Sequence, residues 1–180
     1  MSVRIAMRIE VCDGPKSRSR IQPLIAHVYP EHVLRDVVWR NVVAAPADER
    51  VVLVDDAGEV VACAGLLARR GMLDGRPTWI GGISGVMVRP DRQRQGLGRT
   101  VMTAAQEVLR ARPERSFALL FCEPPAMPFY RVIGWHAFHG EIHAVQPGGV
   151  IRYDIMQAMT LGLATSAPGA GAIDLGGLPW

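Results

Sequence analysis

The sequence predicts an α/β single domain built on one mixed sheet, and three observations carry that expectation. Strand-like apolar runs are grouped between Val51 and Val88 and separated by turn signals. One strongly periodic helical stretch opens at Leu97. A run that is apolar on both faces, "SFALLFC", follows it and has a second helix signal directly behind. A chain of 180 residues fills one domain without requiring two. With 49% hydrophobic and 21% charged residues it can bury a core, so disorder is not the default.

Taken in order, Val3 to Val11, "VRIAMRIEV", alternates as a strand does, and "DGPKSRS" breaks it. "IQPLIAHVYPEHVLRDVVWRNVV" carries apolar residues near helical spacing, with Pro23 and Pro30 as starts or breaks, and reads as one or two short helices. Val51–Val54 and Val60–Arg69 flank the hairpin signal "DDAG", and Thr78–Val88 follows a second one, "LDGR". That makes a three-strand antiparallel meander, ended by Pro90, which lacks the ladder donor. Leu97, Val101, Ala104, Ala105, Val108 and Leu109 then define one buried helical face that stops by Pro113. After the central strand "SFALLFC", the prolines of "PPAMPFYRVIGW" suit a helix first turn and Gly134 suits its end. "EIHAV" and "GVIRYDIMQAM" read as two closing strands. The division expected is a domain over residues 1–160 and a Gly/Ala-rich, irregular tail over 161–180 that docks on it.

Charge and cysteines exclude several classes. The net charge of +3 is small, and Lys16 is the only lysine, so the basic side is arginine, whose planar fork suits phosphate. The arginines cluster at one glycine loop without interleaved aromatics, which argues against a nucleic-acid module. Three cysteines (Cys12, Cys63, Cys122) with no CxxC argue against a disulfide framework or a metal site. No signal segment and no apolar run of membrane-spanning length is seen, so a soluble, cytoplasmic protein with no membrane partner is expected.

The chemistry concentrates in "DRQRQGLGRTVMTAAQEVL". Gly96 and Gly98 permit close approach of a ligand. The backbone N–H groups from Gln95 to Arg99 would converge in front of a helix whose dipole favours negative charge, as a pyrophosphate requires. Arg92, Arg94 and Arg99 can add charge-assisted bonds. The loop is neither a Walker loop nor GxGxxG.

A strand, a proline stop, then Q/R-x-x-G-x-G opening a helix ("VMVRPDRQRQGLG") resembles the acetyl-coenzyme-A motif of the GNAT superfamily of N-acetyltransferases. "FYRVIGW", Phe129 to Trp135, is similar to that family's second signature and stands at the expected distance downstream. The resemblance covers Val3 to about Tyr153 and implies a mostly antiparallel sheet with helices on both faces and a splayed strand pair holding the cofactor. It further implies that Val86, Met87 and Val88 pair with the pantetheine arm, the Val86 N–H holding the thioester carbonyl. Gln93, Arg94, Gln95, Gly96, Leu97, Gly98 and Arg99 would hold the pyrophosphate, with a hydroxyl from Thr100. Tyr130 would contact the cofactor and protonate the departing thiolate. The family's frequent Asn before this helix is replaced here by Glu123 and prolines.

An ammonium acceptor needs a base. Glu123, at the carboxyl end of a central strand, is the first choice, with Glu141, His136 and His139 behind it. Ser84 stands where relatives sometimes carry a catalytic Glu and cannot replace it alone; Cys122 abuts an apolar strand and reads as inert. The tail finishes "LPW", so Trp180 is expected to fold beside Val86 and Tyr130, wall the acceptor pocket and offer its α-carboxylate to the amine. A tail packed on a remote face or in a homodimer contact is the alternative. The chain also resembles, in fragments, the aminoglycoside 2′-N-acetyltransferases, yet a polycation pocket should be acidic. Here Asp36, Glu123, Asp154, Asp174 and the terminal carboxylate are the available negatives, so a small-molecule amine is expected. The function expected is acetyl transfer from acetyl-CoA by direct attack in a ternary complex. Acetylation of a protein or peptide, and a non-catalytic acyl-CoA-binding domain, are the alternatives.

Overall fold

The computed structural model describes residues 7–180. Strand β1 (Arg8–Asp13) leads into helix α1 (Arg18–Val28), the single-turn α2 (Glu31–Leu34) and strands β2 (Glu49–Val54), β3 (Val60–Leu73) and β4 (Arg76–Val88). Helix α3 (Leu97–Arg110), β5 (Phe117–Cys122), α4 (Met127–Val132) and β6 (His136–Ala137) follow. The chain closes with β7 (Glu141–Gln146), β8 (Gly149–Arg152), β9 (Gln157–Gly162) and β10 (Ala172–Asp174). The strand expected from Val3 begins at Arg8 in the structure, and residues 1–6 lie outside the described residues.

The main path of the sheet runs β6-β9-β5-β4-β3-β10-β7-β8, with β2 paired to β3 and β1 to β2, and most pairings are antiparallel. Both hairpin signals act as turns. Asp74 (φ +50°) and Gly75 (φ +74°) both take positive φ, the geometry of a tight hairpin turn between β3 and β4. Asp55 closes the β2–β3 turn, its carboxylate accepting from the N–H groups of Ala57 and Glu59.

Alternation along β2 sorts its residues between two layers. Val51 and Leu53 share a core with α3, while Val52 and Val54 share one with Ile21 and Leu24 of α1. On α3 the predicted stripe Leu97, Val101, Ala104, Ala105 and Leu109 is buried, Val108 is half-buried, and Met102, outside that stripe, is buried with it. Each fully buried large side chain there contributes about 1.5–3 kcal/mol, so Met102→Asp would unseat the helix. β5 is apolar on both faces because it lies between β4 and β9 with helices on one side and the tail on the other.

Two expectations need correction. "GVIRYDIMQAM" is not one strand: it is broken at Tyr153–Met156 and divided between β8, paired with β7, and β9, paired with β5. The tail is not irregular throughout. Its Ile173 faces the core as part of β10, which runs parallel to β7 and antiparallel to the end of β3. The Gly/Ala composition hid a short strand whose stability comes from neighbours already in place on both sides.

Candidate active site

β4 and β5 pair in parallel only from Ile80↔Phe117 to Ile83↔Leu120, although β4 continues to Val88 and β5 to Cys122. The cause of the parting lies in β4. Cys63 pairs with Met87 but Gly65 pairs with Ser84, so Gly85 and Val86 together oppose Ala64, and Gly85 takes φ +52°. A bulge of this kind bends its strand and sharpens the local twist. Gly85 was missed in the sequence reading, though a glycine inside a strand pattern is itself a bulge signal.

The phase of the ladder past the bulge decides which backbone groups face the gap. The Arg89 N–H donates to the Val61 carbonyl, so Met87 and Arg89 turn their backbone groups toward β3. Val86 and Val88, in alternate positions, turn theirs toward the gap. The Val88 carbonyl there accepts from the Gln93 side chain at 3.4 Å.

Beyond Val88 the chain makes a single 3-10 turn (Pro90–Arg92) and a loop in which Arg94 (φ +60°) and Gly96 (φ +81°) are left-handed. A non-glycine residue there is uncommon and costs of order 1 kcal/mol or more, which marks this loop as held in place by its surroundings. α3 starts with no side-chain cap; its first N–H to reach a backbone carbonyl is that of Thr100, bonded to Gly96 at 3.0 Å. The N–H groups before it are the orphan donors of a helix start. Arg92 is drawn toward Asp55 and Asp91 at 4.0 and 3.9 Å, whereas Arg94 and Arg99 make no ion pair among the described residues. The Thr100 hydroxyl lies 3.2 Å from the Gly96 carbonyl, so its proton has a local acceptor. Gly98 sits under α4: a Cβ there would lie 3.3 Å from Phe129 Cζ and 3.6 Å from Val88 Cγ2.

At its other end the gap opens into a cleft of about 670 Å³ between α1, α2 and the sheet. Ser84, Val86, Met87, Glu123 and Tyr130 line it together. Tyr130 is placed by the close of α4, where its carbonyl accepts from both Ile133 and Trp135 and Gly134 (φ +95°) turns the chain. The Gln106 side chain of α3 donates to the Ile133 carbonyl and ties α4 to the core. Burial, and secondarily the neighbouring Cys122, hold the Tyr130 phenol far above its ordinary range, so it stays protonated. Glu123 begins the 3-10 turn Pro124–Ala126 without spending its carboxylate on a cap. Burial, then the charge of Glu123, raise the Tyr29 phenol, which places that carboxylate within electrostatic reach of α1's end. Burial pushes the Cys122 thiol up to about 11, so it is a poor nucleophile at neutral pH.

Glu141 pairs with Arg152 at 3.1 Å, and neither it, His136 nor His139 reaches the cleft wall. Asp36, Asp154 and Asp174 are likewise outside it. Trp180 is in it: the indole is buried, donates from Nε1 to the Leu119 carbonyl at 3.1 Å, and lies against Gly82. A Cβ on Gly82 would come within 2.6 Å of the Trp180 ring, so only glycine leaves room for it. The preceding residues are tied down by Ala45, whose N–H donates to the Pro179 carbonyl at 2.6 Å, and by Arg69, which donates to the Leu178 carbonyl. Tyr29, Trp39, Phe121 and Tyr153 complete the aromatic part of the wall; none was singled out from sequence. Among the described residues no group of three or more His, Cys, Asp or Glu could hold a metal ion. No described helix is long and apolar enough to cross a membrane.

Known proteins agree with this architecture. The YhbS N-acetyltransferase of Escherichia coli, solved with CoA, superposes with a TM-score of 0.59 at 16% identity, covering 97% of this chain and 91% of that one. An acetyltransferase from Brucella melitensis, solved with acetyl-CoA, gives 0.56 at 16% identity over 94% and 96%. The aminoglycoside 2′-N-acetyltransferase of Mycolicibacterium fortuitum is 32% identical over 95 residues, 53% of this chain. The match spans about half of that relative's length, 48%. The sequence model of the acetyltransferase (GNAT) domain matches residues 20–138, from α1 through the loop and Tyr130 to β6. With that domain spanning both the bulged strand and the uncapped helix, the chain belongs to the GNAT family of acetyltransferases.

Proposed function

We propose that the protein transfers an acetyl group from acetyl-CoA to the primary amine of a small molecule, by direct attack within a ternary complex. One observation carries the reading. A single gap between β4 and β5 has unspent backbone donors at one end and a protonated phenol with a free carboxylate at the other.

The orphan N–H groups at the start of α3, with Gln93, Arg94 and Arg99 beside them, hold the pyrophosphate. Val86 and Val88 extend their backbone groups to the pantetheine amides, and Met87 covers the arm from the α1 side. Glu123 takes the proton of the acceptor ammonium, directly or through one water. The freed amine attacks the thioester carbonyl, and the Val86 N–H holds the oxygen as charge develops on it. The C–N bond forms, the C–S bond breaks, and the sulfur leaves with the electron pair of that bond. Tyr130 gives the sulfur its phenolic proton and regains one from solvent; the nitrogen of the adduct loses its second proton to water as the amide forms, and the proton on Glu123 returns to water. Trp180 forms a wall of the acceptor side.

The test is thiol release from acetyl-CoA in the presence of a panel of amines and peptides. Amine-dependent release, one thiol per amide formed, supports the reading. Tight acetyl-CoA binding with no amine-dependent release would leave an acyl-CoA-binding domain instead.

A further inference from the structure

The acceptor end of the cleft has a definite chemistry. Trp39 stands edge-on to Tyr29 with ring centroids 5.4 Å apart. Phe121 stands edge-on to Tyr153 at 4.7 Å and tilted to Trp180 at 6.0 Å. These five rings come from the α1–α2 region, β5, the β8–β9 connection and the tail, so they surround the space instead of stacking on one side. Among the described residues Glu123 is the one carboxylate side chain in the wall. Arg50 is the one cation there, with its guanidinium bonded to the Gly14 carbonyl and the Ser17 hydroxyl; a second cation, Arg69, stands 5.5 Å from the Trp180 ring.

We infer that the acceptor is an aromatic primary amine carrying one positive charge, its ammonium held at Glu123 and its ring seated among Trp39, Phe121 and Trp180. The inference rests on the acetyl-transfer reading above and names the substrate class of that same site. A polycation such as an aminoglycoside would bring several ammonium groups into a cleft whose one carboxylate side chain is Glu123, and each ammonium left without a partner costs desolvation that no ion pair offsets. Arg50 and Arg69 add like charge. A single ammonium balances Glu123, and the faces of neighbouring rings attract it further. An apolar ring gains from the aromatic wall, whereas a hydroxylated sugar would bury groups with few partners.

The experiment compares 2-phenylethylamine and tryptamine with ethanolamine and kanamycin, by thiol release at saturating acetyl-CoA. In parallel, saturation-transfer NMR follows the ring protons of 2-phenylethylamine on the CoA-loaded protein. The expected result is kcat/KM about 10²-fold or more in favour of the two aromatic amines, with ring saturation. Equal or better use of kanamycin or ethanolamine overturns the inference and leaves acetyl transfer standing. Ring saturation without thiol release from any amine supports the aromatic pocket and sinks acetyl transfer. Neither saturation nor release overturns both. Trp39→Ala and Phe121→Leu, the second keeping bulk without the ring, are expected to raise the 2-phenylethylamine KM roughly tenfold at unchanged acetyl-CoA KM. An unchanged amine KM in both variants removes the rings from the site.

Discussion

The two ends of the gap between β4 and β5 are built from different material. The loop end is backbone: a left-handed Arg94 and Gly96, an uncapped helix start, and the gap-facing groups of Val86 and Val88. The acceptor end is side chain: Tyr29, Trp39, Phe121, Tyr153 and Trp180 around one carboxylate. A backbone site recognises what is common to every use of the fold, a pyrophosphate and an amide-bearing arm. A side-chain site is free to change with the acceptor. Substitutions should therefore separate into two classes, one acting on acetyl-CoA and one on the amine.

The largest effect is expected where the two ends meet. Tyr130→Phe keeps the buried ring and removes the proton donor, so turnover should fall roughly 10²–10⁴-fold while acetyl-CoA affinity is held. Stopped-flow thiol release with calorimetry checks both halves; near-normal turnover would assign the proton to water. At the loop end, Gly98→Asp adds a negative charge beside the proposed phosphate site and presses on Phe129, whose Cζ would lie 3.3 Å from the new Cβ. Acetyl-CoA affinity should drop by about 10²-fold or more, about 3 kcal/mol, in a protein whose circular dichroism stays native. Unchanged affinity in the folded variant would remove the loop from the binding site.

A smaller effect is expected at the acceptor end. Gly82→Ala would bring a methyl within 2.6 Å of the Trp180 ring, displacing the indole at a cost of about 1–3 kcal/mol of stability. The amine KM should rise about tenfold with the acetyl-CoA KM constant. Loss of acetyl-CoA affinity instead would mean that the ends are not separable.

Near neutral pH the smallest effect is that of pH itself, and it belongs to the phenols and thiols in and behind the cleft wall. Burial raises Cys122 to about 11 and Tyr153 to about 12, raises Tyr29 and Tyr130 as well, and pushes Cys63 behind them to about 12. Unfolded thiols and phenols release protons near about 8.5 and 10, whereas the folded chain keeps them. Stability is thus fully present below about pH 8.5 and falls as pH rises through these folded values. Urea midpoints should be level from pH 7 to 8 and decline above about 9; a level midpoint at pH 11 would contradict the buried, neutral state of these groups.

The same contrast governs what could be read from the sequence. Gln93 to Thr100 is legible because a backbone site is written locally, as glycines ahead of a periodic helix. The meander, α3, β5 and α4 are legible for the same reason. Tyr29, Trp39, Phe121 and Tyr153 are not, since an aromatic at strand or helix spacing reads as core until the fold brings distant segments together. β10 was hidden because three residues, Ala172–Asp174, carry no periodicity of their own and borrow their ladder from β3 and β7. The bulge at Gly85 was legible and passed over.

The central claim is that backbone groups form the acetyl-CoA end. It is tested most directly by an ¹⁵N-resolved NMR titration of the protein with acetyl-CoA. The account predicts the largest amide shifts and slowed exchange at Val86, Val88 and Gln95–Arg99, with the Trp180 indole resonance moving little until an amine is added. Large shifts at the Trp180 indole and the α1–α2 region, with Gln95–Arg99 unmoved, would contradict it.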